Sequence, residues 1–234
     1  MADPTPDHPP GMSRFQLATA AVMLVAGAIV YPYLPETIPQ HWDAFGRVDR
    51  WAPRSLWSVF FPVIIVLVLA GLFWLLPRID PFKKSYLRFA KTYTLVIDLV
   101  VAFMAFIYAV TLYGAFHPEV QVRFLVPFAV GLLFAAIGNQ MSKMERNFFM
   151  GIRTPWTLAS EKVWKKTHLF GARVFVAAGL TTALSALLPP PYSFYVLIVV
   201  LILATASVTV ASYVIYERLE KAGELDGPMR PPGD

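Results

Sequence analysis

Apolar positions along most of this chain neither alternate nor recur with a helical period; they run on. Long stretches almost free of polar residues are separated by short polar segments, and the stretches approach the ~20 residues a helix needs to span hydrocarbon. Residues 15–33 form the first. Residues 58–76 form the second, with Pro62 in its opening turn, where a missing N–H is tolerated, and Pro77 as a stop. Residues 93–113 form the third and carry one ionisable side chain, Asp98. The fourth runs over 124–137 and on to Met141, the fifth over 174–188 with Phe170 as its earliest start, and the sixth over 192–216 after the break at Pro189-Pro190-Pro191. The pattern predicts an all-α fold: a polytopic membrane protein with six transmembrane helices.

The polar segments divide the chain further. Residues 1–13 are rich in proline and acid and have no apolar period, which predicts a disordered tail. A cleaved signal peptide fits residues 15–33 poorly, because the leader is short of positive charge and contains Asp3 and Asp7; a retained first helix fits better. Residues 34–57 form a loop in which Pro35, Pro39 and Pro53 deny a long helix. Residues 78–91 are polar and basic, 114–121 form a short turn with His117-Pro118, and 217–234 read as a helix extension fading into a Gly- and Pro-rich tail. The expected units are thus a tail (1–13), a three-helix half (14–114), a second three-helix half (115–216) and a closing tail (217–234).

The one long polar interruption of the second half, 151–175, reads GIRTPWTLASEKVWKKTHLFGARVF. Thr154-Pro155 reads as an N-cap followed by the first residue of a short interfacial helix between the fourth and fifth spans. Ser160 offers a second N-cap, with Glu161 favourably set for the helix dipole and four residues before Lys165. On that helix Glu161, Trp164, His168 and Gly171 or Ala172 share a face, and Lys162, Lys165 and Lys166 form a basic shoulder. Two readings stand side by side. One is an interfacial anchor, with Trp156 and Trp164 at the water–lipid boundary and the lysines snorkelling. The other is a binding surface.

Composition agrees with the membrane class: 57% of the 234 residues are hydrophobic, only 15% are charged, and mean hydropathy is +0.56. The absence of cysteine removes disulfides and thiolate chemistry. The net charge of +5 is informative through its distribution. Arg14, the five basic residues of 78–91, the seven from Lys143 to Arg173 and the three of the C-terminal tail fall on one side; Arg47, Arg50, Arg54 and Arg123 fall on the other. Sixteen against four predicts both termini and the 151–175 stretch on the cytoplasmic side of a bacterial inner membrane, with the 34–57 loop outside.

Candidate chemistry is sparse. Glu36, His41, Asp43 and Asp49 bring carboxylates and an imidazole into one loop, but their spacing matches no standard metal motif. The pairs His41–Asp43 and Gly46–Asp49 fit better a tight Asx-type turn holding Trp42 and Trp51 at the outer interface. Neither a metal nor a cofactor is expected. Asp98, an ionisable group inside a span, is expensive unless paired or hydrated, which makes it either functional or the partner of a loop arginine such as Arg153. With no serine elbow, no His-Glu-x-x-His and no glycine-rich phosphate loop, no catalytic residue is expected. Glu161 and His168, seven apart on one face, are the one conceivable acid–base pair.

Gly138-Asn139, Asn147, the run from Gly151 through Leu158, Trp164 and Thr167-His168 together resemble the hallmark of the SdpI (sporulation-delaying-protein immunity) family of bacterial membrane proteins. A second block, LPETIPQHWDAFGRVD at 34–49, with Pro39, His41, Trp42, Gly46 and Asp49, resembles the extracytoplasmic signature of the unnamed domain that often precedes it. Asp43 stands where that block more usually carries asparagine. The resemblance covers about 15–216. It implies protection of the membrane from a secreted toxic peptide met outside, together with retention of a transcriptional repressor at the cytoplasmic face and no direct contact with nucleic acid. Joined with the reading of the residues themselves, the expected partner-binding residues are Arg153, Thr154, Pro155, Trp156, Lys162, Trp164, Lys165 and His168, with Asp98 and Asn139 as the intramembrane candidates. A small transporter or channel using Asp98, or a membrane enzyme acting on an envelope component, are the alternatives.

Overall fold

A computed structural model describes residues 9–119 and 122–226. The order of elements is α1 (Arg14–Val30), a 3-10 turn (Tyr31–Tyr33), β1 (Thr37–Trp42), β2 (Val48–Pro53), α2 (Leu56–Ile79), α3 (Ser85–Arg88), α4 (Ala90–Phe116), α5 (Val122–Met141), α6 (Pro155–Ala159), α7 (Glu161–Ser185) and α8 (Tyr192–Lys221). Among the described residues, α1, α2, α4, α5, α7 and α8 are long and apolar enough to cross a membrane. Their outward surfaces carry exposed Leu17, Val22, Leu67, Val68, Leu180 and Leu203. A soluble protein rarely leaves so much apolar surface in water, whereas lipid solvates it freely. The chain is an all-α polytopic membrane protein.

α1, α2 and α4 pack on one another, α5, α7 and α8 do the same, and α4 meets α5 between the two groups. The closest approach is α5 against α7. A methyl group added at Gly131 would run into the backbone of Gly179 and Ala183, and one at Gly138 would meet the Val176 backbone. Small residues at such spacing let two backbones touch, and in a bilayer close van der Waals packing replaces the hydrophobic effect between helices.

Every long helix runs between two ends of the bundle. One end, the hairpin face, holds β1–β2 and the α4–α5 and α7–α8 turns. The other, the loop face, holds α3, α6 and the segment 142–154.

Several expectations need correction. The loop over 34–57 contains an antiparallel hairpin, with Thr37 opposite Pro53, Pro39 opposite Trp51 and an extra residue, Gln40, in a bulge. Its prolines exclude helix but are tolerated in a two-strand ribbon whose outer edges have no ladder to complete. Pro77 does not stop α2, which runs to Ile79 with Pro77 inside its last turn. The helix that Ser160 caps and the fifth span are one continuous helix, α7. Residues 9–13 lie within the ordered bundle: Ser13 caps α1 with a reciprocal Gln16 contact, and Pro10 O accepts a hydrogen bond from Arg78. Residues 1–8 of the expected N-terminal tail and 227–234 of the C-terminal one lie outside the described residues.

Candidate functional site

The loop face is built around residues that sequence order scatters. Thr154 caps α6, its hydroxyl accepting from Thr157 N at 3.2 Å while Thr154 N donates to Thr157 Oγ1 at 2.9 Å. Thr154 Oγ1 also donates to Ser212 Oγ of α8 at 3.0 Å, and Trp156 lies against Tyr213 with ring centroids 5.1 Å apart. Thr157 Oγ1 reaches back to Ile152 O at 2.8 Å. Residues 152–157 are thereby pinned to α8.

Trp164 and His168 lie deeper than an interfacial role allows. Trp164 is fully buried; its indole N–H donates to Met144 O at 2.7 Å, and its ring stacks on His168 at 4.0 Å. His168 Nε2 faces the Ile152 N–H at 3.0 Å, and Nδ1 faces Trp164 O at 2.9 Å. An N–H donor on one side and a carbonyl on the other fix a neutral ring protonated at Nδ1. The ring also explains Gly151: its φ of +107° favours glycine, and a Cβ there would collide with His168 Nε2. Trp164 is therefore not an anchor at the boundary, and with both ring nitrogens of His168 engaged by backbone and Glu161 paired to Lys165 at 2.7 Å, no acid–base pair forms.

The neighbouring segment turns on Asn147, fully buried, whose Oδ1 accepts from Phe149 N at 3.0 Å and Met150 N at 2.6 Å and whose Nδ2 donates to Glu145 O and Met150 O. Beside it lies a carboxylate that the sequence did not single out. Asp80, 2% exposed, accepts from Phe82 N at 2.7 Å, from the Tyr86 hydroxyl at 2.7 Å and from Phe148 N at 2.9 Å. Burial and the bond to Asp80 push the Tyr86 hydroxyl pKa far above its usual range. Phe82 stacks on Phe148 at 6.2 Å. This node joins the end of α2 to the segment that precedes α6.

Exposed cations surround this interior. Arg153 donates to Phe148 O at 2.9 Å, Lys165 pairs with Glu161, and Lys162 Nζ donates to Glu224 O at 2.8 Å. Behind them the chain folds back after α8, so that Asp226 receives the Ser160 hydroxyl and the Glu161 N–H at the start of α7. Burial alone would raise the Asp226 pKa, but these bonds outweigh it and hold it below the usual carboxylate range. Pro155 is exposed and Trp156 half-buried.

Asp98 does not meet Arg153. It accepts from Ser13 Oγ at 2.7 Å and Gln16 Nε2 at 2.8 Å, at the N-terminus of α1, where the helix dipole favours negative charge. Asn139 is exposed on α5, two residues from its end at the loop face.

At the hairpin face Asp43 makes the expected Asx turn, with partners other than those the spacing suggested. Its Oδ1 accepts from Phe45 N and Arg47 N, both at 2.9 Å, and Oδ2 from Arg47 Nε at 3.2 Å. The Arg47 N–H contributes most to holding the Asp43 pKa below its ordinary value. Gly46 turns the chain at φ +76°, and its backbone abuts Arg123 of α5. His41 pairs with Asp49, Nδ1 to Oδ1 2.6 Å, across the hairpin. Pro39 is buried, Trp42 half-buried and Trp51 exposed. Among the described residues no three His, Asp or Glu side chains converge as metal ligands.

The SdpI/YfhL protein family model matches residues 143–216, which contain the Asn147 segment, α6 and the Trp164–His168 pair, and the model of the domain of unknown function DUF1648 matches residues 18–67, which contain the hairpin. Across both regions, the chain is 30% identical to the immunity protein SdpI of Bacillus subtilis (strain 168) over 191 residues, 82% of this chain and 89% of that protein. The chain belongs to the SdpI/YfhL family. No solved structure matches it.

Within this SdpI/YfhL chain, the residues quoted for the resemblance separate into two sets. Asn147, Thr154, Thr157, Trp164 and His168 form the interior of the loop face, whereas Gly151, Arg153, Pro155, Lys162 and Lys165 are exposed. Asp80 and Asp226 escaped the sequence reading because each looks like one more charge in a polar connector. The signal for Asp80 is weak: an acid directly before a proline at the end of an apolar span.

Proposed function

We propose that this protein protects a bacterial inner membrane from a secreted antimicrobial peptide, meeting the peptide on its hairpin face outside and retaining a repressor protein at its loop face in the cytoplasm. The observation that carries the reading is the relation to the Bacillus subtilis immunity protein through both halves of the chain. Two features support the division of roles. The outward surface of the loop face is basic, with Arg153, Lys162, Lys165 and Lys166 exposed beside Pro155 and Trp156, which suits an acidic protein partner. Thr154, Trp164 and His168 hold that surface in shape from within. The lysine and arginine distribution supports a cytoplasmic position for this face and for both termini.

A transport or channel reading would need Asp98 on a polar route through the bilayer. Its oxygen Oδ1 instead binds Ser13 and Gln16 at one end of the bundle. An enzyme reading would need a free acid–base pair, and Glu161 and His168 are both occupied.

The test is survival of sensitive bacteria challenged with the secreted-peptide fraction of the bacterium that carries the gene. The wild-type chain protects. At equal membrane abundance, Arg153→Ala combined with Lys165→Ala loses protection, and Asp98→Asn, which keeps an acceptor for Ser13 and Gln16, retains it. No protection by the wild type would sink the proposal, and failure of Asp98→Asn alone would replace it with conduction.

A further inference from the structure

Arg123, on the first turn of α5, stands where three hollows of the hairpin face meet. It is exposed, and among the described residues it has no hydrogen bond or ion pair. Nearby, Arg47 is paired to Asp43 and Arg54 donates to Leu34 O at 2.7 Å; Arg50 of β2 is, like Arg123, exposed and without a hydrogen bond or ion pair among the described residues, but it borders none of these three hollows. The hairpin tip fixes where Arg123 stands, because Gly46 packs directly on its backbone.

One of these hollows, about 420 Å³, lies between the hairpin and α4, α5 and α8. That is within the ~300–1,000 Å³ typical of ligand sites. Its floor is apolar, with Ile107, Val126, Pro127, Phe194 and Leu197; its rim is polar, with Gln40 and His41. Gln40, the bulge residue of β1, and His41 belong to the run 40–44 that borders the hollow.

We propose that this hollow and Arg123 form the peptide site of the hairpin face, taking a peptide that puts one large apolar side chain against Val126 and Phe194 and a carboxylate, terminal or acidic, on the Arg123 guanidinium. This deepens and rests on the immunity reading above. The planar fork of an arginine matches a carboxylate through two parallel N–H···O bonds, and an unpaired arginine beside an apolar floor is complementary to an acidic, amphipathic peptide. The shape favours a peptide over a lipid. The hollow reaches only the first turns of α5 and α8, roughly 12 Å of helix, whereas the groove between α1 and α4 runs from Phe15 to Phe116 along the whole bundle, as an acyl chain requires.

The test uses the full-length protein in phosphatidylcholine nanodiscs and a fluorescent synthetic Leu/Phe-rich peptide, as the free carboxylate and as the C-terminal amide. The carboxylate form binds roughly ten- to hundredfold more tightly than the amide. Arg123→Gln removes the difference between the two forms, Ala44→Trp, which fills the hollow from the hairpin turn, weakens both, and Arg50→Gln changes neither. Equal binding of both forms to the wild type, an unchanged preference in Arg123→Gln, or no binding at all overturns the site. So does thermal stabilisation by phosphatidylglycerol that Arg123→Gln abolishes while neither peptide binds, which assigns the hollow to lipid. Failure of the site is separable from failure of the immunity reading: in the survival assay, protection kept by both Arg123→Gln and Ala44→Trp rejects the site alone, and no protection by the wild type rejects the reading beneath it.

Discussion

At the loop face, Asn147, Thr157, Trp164 and His168 are almost wholly buried and each polar side-chain atom described above has its partner; at the hairpin face, the His41–Asp49 hydrogen bond and the Asp43–Arg47 ion pair are made at exposed positions. Buried hydrogen bonds are costly to break because the orphaned partner cannot turn to solvent, whereas exposed ion pairs contribute little and are screened by salt. The loop face is thus a rigid platform whose interior carries its stability and whose outward cations are free to vary in contact. The hairpin face is held locally, by one Asx turn, a bulge and the contact of Gly46 with Arg123, and is the more adaptable of the two.

That contrast breaks most visibly at the tryptophans. Trp164→Ala should destabilise the protein by about 3–5 kcal/mol through the cavity and the orphaned Met144 carbonyl. Trp51→Ala, at an exposed position of the hairpin, should stay within about 0.5 kcal/mol. Thermal unfolding in detergent compares them, and equal shifts would erase the distinction between the faces.

Next in size is Asp80. Asp80→Ala leaves the Phe82 and Phe148 amides and the Tyr86 hydroxyl without their acceptor, at about 1–3 kcal/mol for an unsatisfied buried group. Hydrogen exchange at Phe148 should accelerate, whereas Asp49→Ala on the hairpin should leave exchange across the loop face unchanged. Unaltered Phe148 exchange in Asp80→Ala would remove this carboxylate from the platform.

The smallest effect concerns acid. Asp43 has a folded-state pKa below its unfolded value, so its contribution to the hairpin is complete above the ordinary aspartate range and is lost as pH falls through the depressed value. Exchange of the Phe45 and Arg47 amides should therefore stay slow at neutral pH and quicken only in acid below that range. In Asp43→Asn that acid-dependent step should vanish; its persistence would place the titrating group elsewhere.

Six long apolar runs, interrupted by one charged residue, Asp98, made the spans legible, because in a bilayer hydropathy alone nearly dictates the helix. The union of residues 161–173 with the fifth span was not legible: the charges of Glu161, Lys162, Lys165, Lys166 and Arg173 suggested a separate surface helix, while Trp164, Thr167, His168 and Gly171 on its other side supply the buried stripe that continues it. Trp164 resembled a boundary residue because composition cannot reveal that Met144 O would satisfy its N–H. Asp98 resembled half of an ion pair for the same reason: its partners, Ser13 and Gln16, are neutral and lie more than eighty residues away. The caps at Thr154 and Ser160 were read correctly, since a cap is a local device written in adjacent residues.

Separate roles for the two faces require that they lie on opposite sides of the membrane, the hairpin outside. Because the chain has no cysteine, single cysteines report this directly. With an impermeant maleimide on intact cells, Gln40→Cys and Pro118→Cys should label, and Lys165→Cys should label only after the cells are opened. Labelling of Lys165→Cys from outside would contradict the orientation and, with it, the assignment of peptide and repressor to their faces.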